Sequence, residues 1–386
     1  MTPRERILAA INHREPDRVP IDLGATPVTS ITKAAYIPLR AHLSLPEESI
    51  TIYDEVQQLP YVGEDVLRRF AVDTRMIQLP MAHVGGVEIV DDGDYWAMWD
   101  RWGSKMRMPK DKPLYYDWVE FPIKEPTLEA LDAYHWPEPD PPEVSARLRR
   151  RAEELRASTD FALVGSGVIG GGIFEQPCRM MGMESFMMAM LAAPEFTARL
   201  LDGITDIYVE SVDRYLGQVG ELIDVFTFWD DVATQQGWMI SPQTYVEVIK
   251  PRQKRLFEAI KSRTKAKLFY HCDGAAFDLI PHLIEIGVDI LNPVQVGAAG
   301  MDSKRLKATY GKDITFWGGG VDTQHTLPFG TPDEVRDEVK RRIDDFAPGG
   351  GFVFATVHNI QAFVPPANIE AAYDTVLNYG GTAVSA

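Results

Sequence analysis

The feature that most restricts the fold is a regular alternation, beginning at Phe161, of short apolar runs with longer helical stretches. Strand candidates fall at Phe161 to Gly165, Leu222 to Trp229, Ala266 to Tyr270, Val288 to Leu291, Ile314 to Trp317 and Phe352 to Val357. Two earlier runs, Val19 to Gly24 and Thr74 to Leu79, bring the count to eight. Strands that are apolar throughout and separated by helices imply a parallel sheet buried on both faces, and eight of them close into a (β/α)8 TIM barrel. An open doubly wound sheet is the alternative. Helix starts are marked at Ser241-Pro242 and Thr331-Pro332-Asp333-Glu334, where a hydroxyl can cap and Pro takes the first helical position.

With 386 residues, 45% of them hydrophobic, the chain can bury one large α/β core, and a single domain over 1–386 is expected. Thr2-Pro3-Arg4-Glu5-Arg6 reads as a capping box opening an N-terminal helix through Ile7, Leu8 and Ile11, not as a signal peptide. A further helical region runs from Ile31 to Leu43. Between Val87 and Met108 aromatic, charged and Gly residues alternate (Tyr95, Trp96, Trp99, Arg101, Trp102, Gly103), which is a hairpin pattern. Together with the Pro-rich connector Pro122 to Pro142 it forms an insertion over about 81–142 that can overhang a pocket, and an exposed helix follows from Val144 to Thr159.

A net charge of −17 argues against nucleic acid or an anionic membrane as partner. Two cysteines, Cys178 and Cys272, exclude a disulfide framework and suit a reducing compartment. No apolar run approaches the roughly 18 residues of a membrane span. The expectation is a soluble, cytoplasmic protein.

In a barrel, chemistry gathers at the C-terminal strand ends. Here these ends carry Glu175; Trp229, Asp230, Asp231 and Gln235; His271 and Asp273; Asn292 and Gln295; Trp317 and Asp322; and His358, Asn359 and Gln361. Strand alternation puts His271 and Asp273 on one face and Cys272 on the other. A His and a carboxylate so placed can bind a metal, exchange protons or hold a polar substrate; the plain alternative is a hydrogen-bonded turn at Gly274. Gly165-Ser166-Gly167-Val168-Ile169-Gly170 matches a dinucleotide fingerprint literally, but Pro177 interrupts the helix it needs and no acidic strand end follows at the right distance, so it reads as a glycine loop. The methionines from Met180 to Met190 fall at helical spacing and read as core.

Several of these segments together resemble the uroporphyrinogen decarboxylase superfamily, in its branch of corrinoid-linked methyltransferases and O-demethylases. They are Arg4-Glu5-Arg6 through Glu15-Pro16-Asp17-Arg18-Val19-Pro20, Trp229-Asp230-Asp231 with Thr234-Gln235 and Ile240-Ser241-Pro242, His271-Cys272-Asp273-Gly274, Ile286 to Gln295, and Ala347-Pro348-Gly349-Gly350-Gly351 leading to His358-Asn359-Ile360. The resemblance covers nearly the whole chain and implies a single barrel.

Methyltransferases of that branch bind zinc through His-x-Cys at this strand end and a further Cys near the last strand. His271 matches the first ligand, Asp273 stands where the first Cys would be, and His358 lies near the second. Harder donors replace the thiolates, so His271, Asp273 and His358 imply either a Zn2+ site acting as a Lewis acid or a metal-free acid/base site. The decarboxylases carry an Arg-rich motif after the first strand, whereas Gly24 to Ala35 contains Lys33 as its only cation. The expected activity is therefore methyl transfer from a small O- or N-methylated substrate to a corrinoid. No Asp-x-His-x-x-Gly motif is present, so the cobalamin must arrive on a separate corrinoid protein. Glu175, Trp229, Asp230, Asp231, Gln235, Asn292, Gln295 and Trp317 are the expected substrate-binding residues. A decarboxylase or other lyase, and a catalytically silent ligand-binding barrel, are the alternatives; a homodimer is compatible with either.

Overall fold

In the computed structural model, residues 1–79, 88–167 and 170–383 are described. Two short strands, β1 (Ile52–Asp54) and β2 (Leu59–Pro60), pair antiparallel. β3 (Thr74–Ile77) precedes an insertion of four antiparallel strands, β4 (Val90–Asp92), β5 (Tyr95–Trp99), β6 (Lys105–Pro109) and β7 (Asp117–Glu120). β8 (Ala162–Gly165), β9 (Val225–Trp229), β10 (Lys267–His271), β11 (Ile290–Asn292), β12 (Thr315–Trp317) and β13 (Phe352–Val353) then alternate with helices. The main sheet is parallel, in the order β13-β12-β11-β10-β9-β8-β3.

The segment at Ile21 joins its two edges. Asp22 N donates to Phe354 O at 2.8 Å and Phe354 N to Pro20 O at 2.9 Å, while Asp73 N donates to Ile21 O at 2.9 Å on the other side. The result is a (β/α)8 barrel in which the expected first strand, Val19 to Gly24, shrinks to one bridge. The physical reason is partly local and partly distant. Pro20 has no N–H to offer, the Ile21 N–H is taken by the Asp73 carboxylate at 2.8 Å, and Gly24 turns the chain at φ +82°.

Strand parity then sorts the core into two layers. Ala162, Val164, Val225, Phe269, Ile290, Trp317 and Val353 meet inside the barrel. Leu163, Phe226, Phe228, Leu268, Tyr270, Leu291 and Phe316 face the surrounding helices. Phe226, Phe228 and Phe269 are at most 1% exposed, and each such burial contributes about 1.5–3 kcal/mol before entropy is charged against it.

The bottom of the barrel is plugged. The first helix, Pro3–Ala10, is opened by the Thr2/Glu5 capping box and sends Ile7, Ala10 and Ile11 into the interior cluster. Arg6 and Arg18 both clasp the buried Asp73, and Arg6 also reaches Asp17 at 2.6 Å. The hairpin pattern expected between Val87 and Met108 continues to a fourth strand at Asp117–Glu120, still within the expected insertion over about 81–142; the portion of that insertion before residue 88 lies outside the described residues.

Candidate active site

Above the top of the barrel lies a cavity of about 800 Å³. Its floor includes Trp229, Asp231, His271 and His358, and its far wall is built from the insertion, with Trp99, Trp102, Tyr115, Tyr116 and Trp118. Parity explains the floor. Val225, Thr227 and Trp229 alternate inward along β9, as Phe269 and His271 do along β10, so the last inward residue of these two strands meets the cavity.

His271, Asp273 and His358 come together as expected, with one ligand atom of each within 4.8 Å of the others. His271 Nε2 lies 4.0 Å from Asp273 Oδ1, and His358 Nε2 lies 4.0 Å from Asp273 Oδ2. These gaps are too wide for hydrogen bonds. The imidazole orientations follow from their other nitrogens. Asn292 Nδ2 donates to Trp317 O at 2.8 Å, which turns Asn292 Oδ1 toward His271 Nδ1 at 2.6 Å. An amide oxygen can only accept, so Nδ1 carries the proton and Nε2 presents its lone pair. His358 Nδ1 meets Asn359 Oδ1 at 3.0 Å, and Asn359 Nδ2 donates to Gln57 Oε1 at 2.8 Å, with the same outcome. Burial holds His271 below its usual pKa against the opposing pull of Asp273, so it faces that carboxylate neutral and not as an ion pair.

Backbone geometry fixes the loops that carry this group. Gly274, at φ +91°, lies so close to Thr234 O that an added Cβ would sit 2.4 Å from it, and its N–H donates to Gln295 Oε1 at 2.7 Å. His358 adopts φ +63°, an unfavourable conformation for a residue other than glycine, with its carbonyl held by Thr356 Oγ1 at 2.7 Å.

The remaining expected residues divide. Glu175, Trp229 and Asp231 line the cavity. Asp231 Oδ1 accepts from Asp273 N at 2.7 Å; burial, then Glu175 and Asp273, push its carboxyl well above the ordinary range. Asp230, one residue earlier, points outward and is fully buried. It accepts from Phe174 N at 3.0 Å, Glu175 N at 3.1 Å and Gln253 Nε2 at 2.8 Å, against Gly172, where a Cβ would fall 2.1 Å from its Cγ. Burial first, and Glu175 second, raise its pKa to about 7. Trp317 is also fully buried, inside the barrel, and donates Nε1 to Asp22 Oδ2 at 2.9 Å. Asn292 acts through His271. Gln295 braces the Gly274 turn, and Gln235 sits exposed in a loop whose carbonyl accepts from Ala299 N. None of these last five lines the cavity.

The sequence reasoning missed the charged groups brought in by distant segments. Arg101, Arg179 and Arg214 line the cavity, but so do Asp54, Asp100, Asp117, Asp140, Glu175 and Asp231, six carboxylates to three guanidinium groups. The arginines are engaged: Arg101 with Asp140, Arg179 with Glu175 at 3.1 Å, and Arg214 with Glu210 and the carbonyls of Pro139 and Asp140. For Arg179 a signal existed, since Glu175 and Arg179 stand four residues apart at helical spacing. For Arg101 the aromatic density of the insertion was the only clue.

A parallel barrel whose strand ends surround one deep cavity with two His residues and an inward carboxylate is built as enzymes of this fold are built. The family model described as Uroporphyrinogen decarboxylase (URO-D) matches residues 100–379, and the chain belongs to that family. Among similar proteins, the Uroporphyrinogen decarboxylase of Citrifermentans bemidjiense is 27% identical over 62% of this chain and 67% of its own length. That of Syntrophotalea carbinolica is 28% identical over 66% and 71%. A methyltransferase from Methanosarcina mazei of known structure shares the fold with a TM-score of 0.64 at 16% identity, over 98% of this chain and 99% of its own. Among the described residues, no helix is long and apolar enough to cross a membrane.

Proposed function

We propose that this chain is a methyltransferase that moves a methyl group from a small O- or N-methylated substrate to cobalamin carried by a separate corrinoid protein. The observation that carries the reading is the convergence of His271, Asp273 and His358 at the cavity floor, with both Nε2 lone pairs turned toward one carboxylate. Two imidazoles and a carboxylate fit a divalent metal, and the imidazole Nδ1 protons are held by amide oxygens in the manner of metal-ligating histidines. Zinc, when bound there, supplies Lewis acidity toward the oxygen or nitrogen that loses its methyl group.

The chain's own residues do the rest. Trp229, Asp231 and Glu175 border the space in which the donor sits and orient it. Asn292 and Asn359 keep the imidazoles in one tautomer, and Gln295 holds the Asp273-Gly274 turn. As the carbon–oxygen or carbon–nitrogen bond breaks, the leaving atom keeps the electron pair and takes a proton from solvent, while the methyl group would pass to cob(I)alamin, whose own electron pair would form the new bond to carbon. The reading assigns the protein to the cytoplasm, in keeping with Cys178 and Cys272 both being free thiols.

Decarboxylation is the second reading, favoured by the names of the similar proteins and by the three arginines on the cavity wall. Against it, each arginine already faces protein acceptors, and a substrate with many carboxylates would enter a cavity already rich in them. The deciding experiment incubates the zinc-reconstituted protein with cob(I)alamin and a panel of methoxylated aromatics and methylamines, and in parallel with uroporphyrinogen. Methylcobalamin formation that disappears in His271→Ala supports methyl transfer; carbon dioxide release with no methylcobalamin overturns it.

A further inference from the structure

The cavity wall also carries donors that meet no acceptor among the described residues. Gln176 is 1% exposed and lines the cavity. Its Oε1 accepts from Gly171 N at 2.8 Å, which fixes the amide orientation and leaves Nε2 as the free arm. That Nε2 is buried with no hydrogen-bond partner among the described residues. One turn later on the same helix, the half-buried Arg179 guanidinium makes one hydrogen bond among the described residues, from Nη2 to Glu175 Oε1 at 3.1 Å, and lies 4.5 Å from the centre of the Trp118 ring. A guanidinium has five N–H groups, so Arg179 has donors to spare. Unused buried donors cost free energy in the empty protein, and a ligand acceptor would recover it.

The charge around them selects the kind of acceptor. A carboxylate on the ligand would share Arg179 with Glu175, in a cavity with twice as many carboxylates as guanidinium groups. A cation would be drawn to those carboxylates but would leave Gln176 and Arg179 unsatisfied. A neutral oxygen meets both conditions, and the ring walls of Trp99, Tyr115 and Trp118 favour a flat body attached to it.

We propose that Gln176 and Arg179 form the recognition end of the cavity, which takes an uncharged carbonyl-type oxygen on a planar ligand. The orientation, with the methyl group toward His271 and the oxygen toward Gln176, rests on the methyl-transfer reading; the binding does not.

The test measures binding alone, by tryptophan fluorescence and calorimetry on the full chain, with no corrinoid present. The probes are 4-methoxybenzamide, 4-methoxybenzoate and 4-methoxy-N,N,N-trimethylanilinium. The benzamide is expected to bind roughly tenfold tighter than either charged probe. Gln176→Glu keeps an oxygen for Gly171 and removes the donor; it and Gln176→Leu are each expected to weaken the benzamide by roughly tenfold. Circular dichroism checks that both variants fold, and if one does not, the other and the wild-type ranking decide. Equal or tighter binding of the benzoate overturns the proposal in favour of an anion site, and tighter binding of the anilinium in favour of a cation site. Unchanged benzamide affinity in a folded Gln176 variant, or no binding of any probe, overturns it outright. Failure of methyl transfer with the benzamide still bound through Gln176 would remove the proposed function and leave this site standing.

Discussion

At the bottom of the barrel, Asp73 is fully buried and receives four hydrogen bonds, from Arg6, from both Nη atoms of Arg18 and from Ile21 N. At the top, Asp231 receives one side-chain hydrogen bond among the described residues, from Asp273 N, and its charged neighbours are Glu175 and Asp273. The same residue type thus serves two purposes. Where every oxygen is matched by a cation or an N–H, the carboxylate ties the N-terminal segment to the barrel. Where it is not matched, the site holds electrostatic free energy that an incoming ligand can release.

The sharpest way to break this comparison is Asp73→Ala, which takes the carboxylate away from Arg18 and leaves Arg6 with Asp17 alone. Denaturant unfolding should show a loss of about 3–5 kcal/mol, with turnover per folded molecule unchanged. A loss below about 1 kcal/mol would mean that the bottom network is not what secures the plug.

The two ends should also answer pH in opposite directions. Asp17, beside Arg6, is held below the ordinary carboxylate range, so its contribution is present at neutral pH and fades as pH falls through and below that range. Asp230 titrates at about 7 in the folded protein, above its unfolded value, so the folded state keeps a proton that the unfolded state gives up. Stability should therefore fall as pH rises from about 4 to 7 and level off beyond. Asp230→Asn should make that slope shallower, with the raised Asp231 supplying part of what remains, and cost about 1–3 kcal/mol, because an amide N–H2 is then turned toward one of the Phe174, Glu175 or Gln253 donors. Unfolding curves at stepped pH on both proteins decide; a slope unchanged by the substitution assigns it to other groups.

A smaller and more specific effect is expected from Asn292→Leu. Removing the acceptor for His271 Nδ1 should weaken zinc or cobalt binding about 10–100-fold in competition with a chromophoric chelator. Unchanged affinity would show that the tautomer does not depend on Asn292. The smallest effect belongs to Trp99→Ala on the insertion. Its indole is 47% exposed, and the melting free energy should move by no more than about 0.5 kcal/mol.

Much of the architecture could be read from alternation, because buried parallel strands leave a strong apolar signal. The failure at Val19 to Gly24 came where a side chain replaces the ladder: the Asp73 carboxylate that takes the Ile21 N–H is 52 residues away. In the site, period-two parity placed His271 and Asp273 together and Cys272 in the outer core, where it is found. The same parity, carried along β9, separates Asp231 from Asp230, a distinction within reach of the sequence. Parity gives the face of a strand and not the depth along it, which is why Trp317, inward as expected, ends below the cavity. The aromatic pattern already marked the insertion as able to overhang a pocket, and Trp99, Arg101 and Trp102 do line it, but their meeting with Gln176 became visible only in three dimensions, since nothing local ties the insertion to the helix after the glycine loop.

The helix at Pro3–Ala10 makes the barrel a vessel stoppered at one end. What reaches His271 comes to it at the other end, in a cavity lined in part by the insertion strands. Traffic through such a mouth is taken in turns. The loops over it set the order of arrival and departure, so changes in β5 to β7 should be felt in the sequence of binding events before they are felt in the bond-breaking step.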